Sequence, residues 1–180
     1  GAGRIVLQDL AKINKNIKEG QMQHNQSLLK AIEKAKLKQK PIHLMGLFSE
    51  GGIHSHLSHL KKICEIALNN NVKHIYIHAF TDGRDSDPKA GKKYISDFLK
   101  YAKNKKITIA SVIGRYYAMD RDKRWERTAL AYNLLVRGEG NPTKNLIKAI
   151  DESYSKGISD EFILPITVIN EQKKPIATIN

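Results

Sequence analysis

Three short apolar runs, residues 42–47, 74–80 and 107–113, are each followed by a polar loop and then an amphipathic helical stretch. This alternation restricts the fold more than any other feature of the chain. Runs of six or seven apolar residues are too short for typical helices and suit buried strands. Strands joined through helices imply crossover connections, and crossovers imply parallel pairing with both sheet faces covered. The expectation is therefore an α/β fold: a three-layer α/β/α domain around a largely parallel central sheet, with a mixed edge allowed. In such sheets ligands gather outside the carboxyl ends of the strands. The loops that follow the three runs are expected along one edge.

The flanking pattern fills in the other elements. Leu7, Leu10, Ala11, Ile13 and Ile17 mark one face of a helix over about 4–19, with Gly20 as its stop. A second helix is predicted over 25–38, a third over 54–69, and a fourth from Pro88, which suits a first helical turn, to about 103. Further helices are predicted over 125–136 and from Asn141-Pro142-Thr143 to near Gly157. Ile163, Ile166, Val168 and Ile169, then residues 176–179, suggest one or two closing strands. Neither repeats nor linker-like segments divide the chain, so residues 1–180 are expected to form a single domain.

The content of 41% hydrophobic residues is sufficient for a core and excludes a disordered chain. No apolar run approaches the roughly 18 residues of a membrane span, and no signal region follows Gly1-Ala2-Gly3-Arg4. The only cysteine, Cys64, lies on an apolar helical stripe and is expected as a packing thiol, which suits a cytoplasmic protein.

The net charge of +13 favours anionic partners. Most lysines fall on predicted solvent-facing helix positions. Arg84, Arg115, Arg121, Arg124 and Arg127 instead lie in or beside the strand-end loops. The planar guanidinium grips phosphate or carboxylate with paired hydrogen bonds, where lysine offers a point charge.

The first loop, Ser49-Glu50-Gly51-Gly52-Ile53-His54-Ser55-His56, combines glycines that admit a close ligand with histidines. Its His54 suits anion binding. An H-x-H pair extended by His59 also leaves open a metal-dependent hydrolase, although His56 and His59 equally suit a helix surface or cap. The second loop, Thr81-Asp82-Gly83-Arg84-Asp85-Ser86-Asp87-Pro88, sets an arginine beside a carboxylate able to exchange a proton. Asp82 and Asp87 read as turn and cap residues. The third loop, residues 114–124, mixes arginine, lysine and tyrosine, and so suits an anion pocket or a nucleic-acid backbone. The interleaved Asp120 and Asp122 tell against the latter. Asp122, Lys123 and Arg124 are expected to form a salt-bridged turn.

Taken together, Ser49–His56, the stretch 78–85 beginning His78-Ala79-Phe80 and the stretch 114–125 beginning Gly114-Arg115-Tyr116-Tyr117 resemble, in order and spacing, the phosphotransferase domain of the 2,3-bisphosphoglycerate-independent phosphoglycerate mutases. Gly138-Glu139-Gly140 and the opening Gly1-Ala2-Gly3-Arg4 with Gln8 continue the likeness. Glu50 stands where the family more often has aspartate, and Ser86-Asp87-Pro88-Lys89 is less apolar than usual. The resemblance implies interconversion of 3-phosphoglycerate and 2-phosphoglycerate in glycolysis through a phosphoserine intermediate. It places the substrate-binding residues at His54, Arg84, Asp85, Arg115 and Arg121, with Asp85 as the catalytic acid/base. It also implies an alkaline-phosphatase-like partner domain, absent from this chain, that carries the nucleophilic serine and a pair of manganese ions. The chain itself is then expected to hold no cofactor, to be monomeric, to bind phosphoglycerate but neither nucleic acid nor membrane, and to be inactive alone.

Overall fold

The computed structural model describes residues 8–179. Among these residues five strands form one sheet in the order β1-β2-β3-β5-β4. They are β1 (Ile42–Phe48), β2 (Ile75–Thr81), β3 (Ile107–Gly114), β4 (Asn141–Thr143) and β5 (Ile166–Val168). The first three pair in parallel, from Ile42 opposite Ile75 to Thr81 opposite Gly114. Short β5 runs antiparallel to β3, and β4 runs parallel to β5, so the sheet is mixed at one edge. The expected α/β architecture is what forms. No helix among the described residues is long and apolar enough to cross a membrane.

Among the described residues seven α-helices surround the sheet: α1 (Asp9–Lys18), α2 (Gln26–Leu37), α3 (Leu57–Asn69), α4 (Gly91–Ala102), α5 (Arg115–Ala118), α6 (Trp125–Arg137) and α7 (Leu146–Ser155). Ile75, Ile77 and Ile109 of the sheet pack with Ile95 and Phe98 of α4 and Ile150 of α7, all nearly inaccessible. Phe98 meets Phe48 edge-on at 5.2 Å, the favoured quadrupole arrangement. Cys64 is wholly buried in this core and burial pushes its thiol up to about 12, which makes it the packing group anticipated. A smaller cluster of Phe80, Ile113, Ala131 and Leu134 lies beneath the third loop and secures α6 against the sheet.

Several boundaries differ from expectation for local reasons. Helix α1 begins at Asp9, and the portion of its predicted span before residue 8, like the Gly1-Ala2-Gly3-Arg4 likeness, lies outside the described residues. Helix α3 begins at Leu57 rather than at residue 54, because the His56 ring accepts from the Ser58 amide and caps it. Helix α4 starts at Gly91, three residues beyond Pro88, whose carbonyl instead accepts from the Asp160 amide. Asn141-Pro142-Thr143 forms edge strand β4 rather than a helix start, and Asn145 caps α7 through the Lys148 amide. Proline is tolerated in β4 because the strand lies at the sheet edge. Residues 176–179 form no strand, although the Ile176 and Ile179 amides bond to Val168 and Leu135. The third loop is also not wholly irregular, since residues 115–118 make the single turn α5.

Candidate functional site

Parallel pairing brings the carboxyl ends of β1, β2 and β3 side by side, and their loops converge as the alternation predicts. A cavity of about 380 Å³ opens between them, and His54, Arg84, Asp85, Arg115 and Arg121 all line it. Residues from three loops up to 67 positions apart in sequence, 54 to 121, therefore share one wall.

Arg115 is the best-held group. One guanidinium nitrogen, Nη1, donates to Asp82 Oδ1 and to Asp85 Oδ2, both at 2.6 Å. The other guanidinium nitrogens make no hydrogen bond among the described residues, so the fork is anchored at one corner and open at the rest. Asp85 Oδ2 is also 3.7 Å from His54 Nε2, which sets this carboxylate between an imidazole and a guanidinium.

Asp82, read from sequence as a turn residue, has a larger part. It is 1% exposed and accepts four hydrogen bonds, one from each outer loop and two from its own. The donors are the Ser49 hydroxyl at 2.6 Å, the Arg115 guanidinium, and the Arg84 and Asp85 amides at 3.2 and 3.0 Å. Burial alone would raise its pKa. The Asp85 amide, the Ser49 hydroxyl and the Arg115 guanidinium outweigh that effect and hold the carboxyl below its ordinary 3.8. Asp82 is thus the ionised hub that ties the three loops together. It was missed because nothing local distinguishes it from the many Asp-Gly turns in which aspartate merely caps the backbone.

The salt-bridged turn expected at Asp122, Lys123 and Arg124 forms with different partners. Arg127, from the first turn of α6, pairs with Asp120 at 3.1 Å and Asp122 at 3.4 Å, and its guanidinium carbon lies over the Tyr116 ring, 3.9 Å from the centroid. Lys123 instead takes a left-handed backbone, φ 58°, and Arg124 contributes its amide to Asp120. Arg121 has no ion pair or hydrogen bond among the described residues, although it lines the cavity. Arg84 is over half exposed, with only the Glu161 carboxylate at 3.8 Å.

Another part of the wall is Glu161-Phe162, which the sequence did not single out. Glu161 and Phe162 face the cavity, and the Ile163 carbonyl accepts from the Gly114 amide at 2.7 Å. A Cβ at Gly114 would collide with the Glu161 carbonyl. Gly114→Ala should therefore push this wall outward and lower stability by about 1–3 kcal/mol. Urea denaturation at neutral pH would measure it, and an unchanged midpoint would contradict the contact.

The H-x-H alternative loses its geometry. His56 spends Nδ1 on the Ser58 amide and hydroxyl, and His59 Nε2 meets Asn14 at 2.7 Å. Among the described residues no group of three or more His, Cys, Asp or Glu side chains could hold a metal ion, so they do not fit a manganese pair. The nucleic-acid alternative fares no better: Arg84, Arg115, Arg121 and Arg127 converge in a cavity lined by carboxylates instead of forming an open basic track.

The fold and site define an α/β domain with an arginine-rich cavity at the carboxyl edge of a mostly parallel sheet. The family described as BPG-independent PGAM N-terminus matches residues 13–180, and the chain belongs to that family. It is 51% identical over 179 residues to the 2,3-bisphosphoglycerate-independent phosphoglycerate mutase of Flavobacterium johnsoniae, and 51% identical over 180 residues to that of Clostridium novyi. Each alignment covers 99% of this chain and 35% of the relative. The crystal structure of Leishmania mexicana phosphoglycerate mutase at low cobalt concentration superposes with a TM-score of 0.90 at 28% identity, over 100% of this chain and 34% of that one. The chain thus spans about a third of the length of the mutases it matches.

Proposed function

We propose that this chain is the substrate-binding domain of a cofactor-independent phosphoglycerate mutase, a single domain working against an alkaline-phosphatase-like domain in the cytoplasm. The observation that carries this reading is the convergence of His54, Arg84, Asp85, Arg115 and Arg121 on one cavity. A phosphoglycerate offers a phosphate, a carboxylate and a hydroxyl. The open corners of the Arg115 fork, with Arg84, Arg121 and His54, supply donors for the two anionic groups. Asp85, already within reach of His54 and Arg115, is placed to take or return the proton of the glycerate hydroxyl. Loss of the substrate proton is helped by the positive field of the adjacent arginines.

Binding is tested by titrating 3-phosphoglycerate into the isotopically labelled chain and following amide shifts by NMR. Perturbations should cluster at His54, Arg84, Arg115 and Arg121; shifts confined to another face would refute the assignment. Arg121→Ala is the sharpest variant, because this side chain has no ion pair or hydrogen bond among the described residues to lose. It should weaken binding by about 1.5–3 kcal/mol, the range for hydrogen bonds to charged groups, while thermal stability stays within about 0.5 kcal/mol of the parent. Equal affinities for the two proteins would remove Arg121 from the site.

A further inference from the structure

The arginines of the cavity come with carboxylates, and those carboxylates are not equivalent. Asp82 is sealed beneath Arg115, and the Asp120 side chain, 2% exposed, is sealed against Arg127, so both serve as internal counter-ions. Asp85 already bonds to Arg115. Glu161 differs from all of these. Its side chain is four-fifths buried, it faces the cavity, and its carboxylate accepts no hydrogen bond among the described residues. Its one ion-pair partner among the described residues, Arg84, stands at 3.8 Å, beyond hydrogen-bond range. A carboxylate in that setting has given up much of its water without a replacement donor, which is unfavourable until a ligand supplies one.

The backbone that presents Glu161 is firmly held. Asp160, fully buried, accepts from the Gly91 amide at 2.7 Å and from the Tyr154 hydroxyl, and its carbonyl accepts from Thr81 Oγ1 at 2.7 Å. Gly83, at φ +67°, lies so close that a Cβ there would stand 2.7 Å from the Glu161 amide. The side chain therefore projects from a braced segment and not from a pliable loop.

We infer that Glu161 is a specificity-determining residue, which accepts a hydrogen bond from the hydroxyl of a phosphorylated hydroxy acid and disfavours anions lacking one. The inference rests on the substrate class proposed above and adds a second carboxylate to the recognition of the hydroxyl beside Asp85. An arginine cavity alone would accept any small polyanion of suitable size. A carboxylate on a braced backbone that accepts no hydrogen bond among the described residues changes that preference, since it repels bare anions and rewards a donor.

The test compares 3-phosphoglycerate with 3-phosphonooxypropanoate, the same molecule without its hydroxyl, by NMR titration of the parent chain and of Glu161→Gln. The parent should prefer the hydroxylated ligand by about tenfold or more, the factor expected for a hydrogen bond to a charged acceptor. Glu161→Gln should narrow that preference to about threefold or less and raise the affinity for inorganic phosphate, because a repelling charge has gone. A preference unchanged in the variant would overturn the inference and leave the binding assignment standing. If Glu161→Gln fails to fold, Glu161→Asp, which withdraws the carboxylate by one methylene, takes its place under the same criteria, and equal affinity of the parent for the two ligands overturns the inference outright. A parent chain that bound neither compound would overturn both readings.

Discussion

Replacing Asp82 by alanine should cost the fold about 3–5 kcal/mol, the penalty for removing one partner of a buried, hydrogen-bonded ion pair. The substitution leaves the Ser49 hydroxyl and two loop amides without their acceptor, and Arg115 with Asp85 alone. For a chain of this size the melting temperature should fall by roughly 6–20 °C. Asp82→Asn keeps the shape and one good acceptor and should lose about half as much. The pH dependence has a definite sign. The folded pKa of Asp82 lies below its ordinary 3.8, so its contribution is fully present above that value and is lost as pH falls through the folded pKa. Thermal melts of both variants at neutral pH would check the magnitude. A loss below about 1 kcal/mol for Asp82→Ala would mean that the three loops hold one another without this carboxylate.

Acidification should weaken the fold earlier, through a different group. His78, 1% exposed in the centre of β2, shares one ring nitrogen with His43 at 2.9 Å and the other with the Ser111 hydroxyl at 2.8 Å. Burial first, and the neighbouring His43 second, lower its pKa from 6.5 to about 4. Between those values the unfolded chain binds a proton that the folded chain refuses. Stability is therefore complete above about pH 6.5 and declines as pH falls toward 4. The 2.5-unit difference amounts to about 3 kcal/mol once both states are protonated. Urea denaturation across this window should show the decline, and His78→Asn should flatten it. The ring resonances of His78 should show no protonation near pH 6. A pKa close to 6.5 for this ring would defeat the prediction.

Much of the architecture was legible because strand and helix periodicities are local properties. The runs at 42–47, 74–80 and 107–113 needed only their own residues to be recognised, and their helical separation then required parallel pairing. The short elements were less legible. Pro142 in β4 and the 160–162 turn depend on which neighbour completes their hydrogen bonds, as does the late start of α4 after Pro88. That partner is supplied by distant chain. Arg84-Asp85 and the arginines at 115 and 121 stood out by residue type in strand-end loops, and the family likeness assigned them roles.

What the sequence determined by itself was the alternation of elements, the edge at which the strand-end loops converge, and the residue types available there. Only the tertiary structure decided how those charges are paired. It made Asp82 a buried hub, set Arg127 against Tyr116, and brought Glu161 from the far end of the chain into the cavity beside Arg84. The reason is physical. Hydrogen bonding and charge pairing depend on separations of a few ångströms, and those separations are created by packing between segments that sequence order keeps far apart.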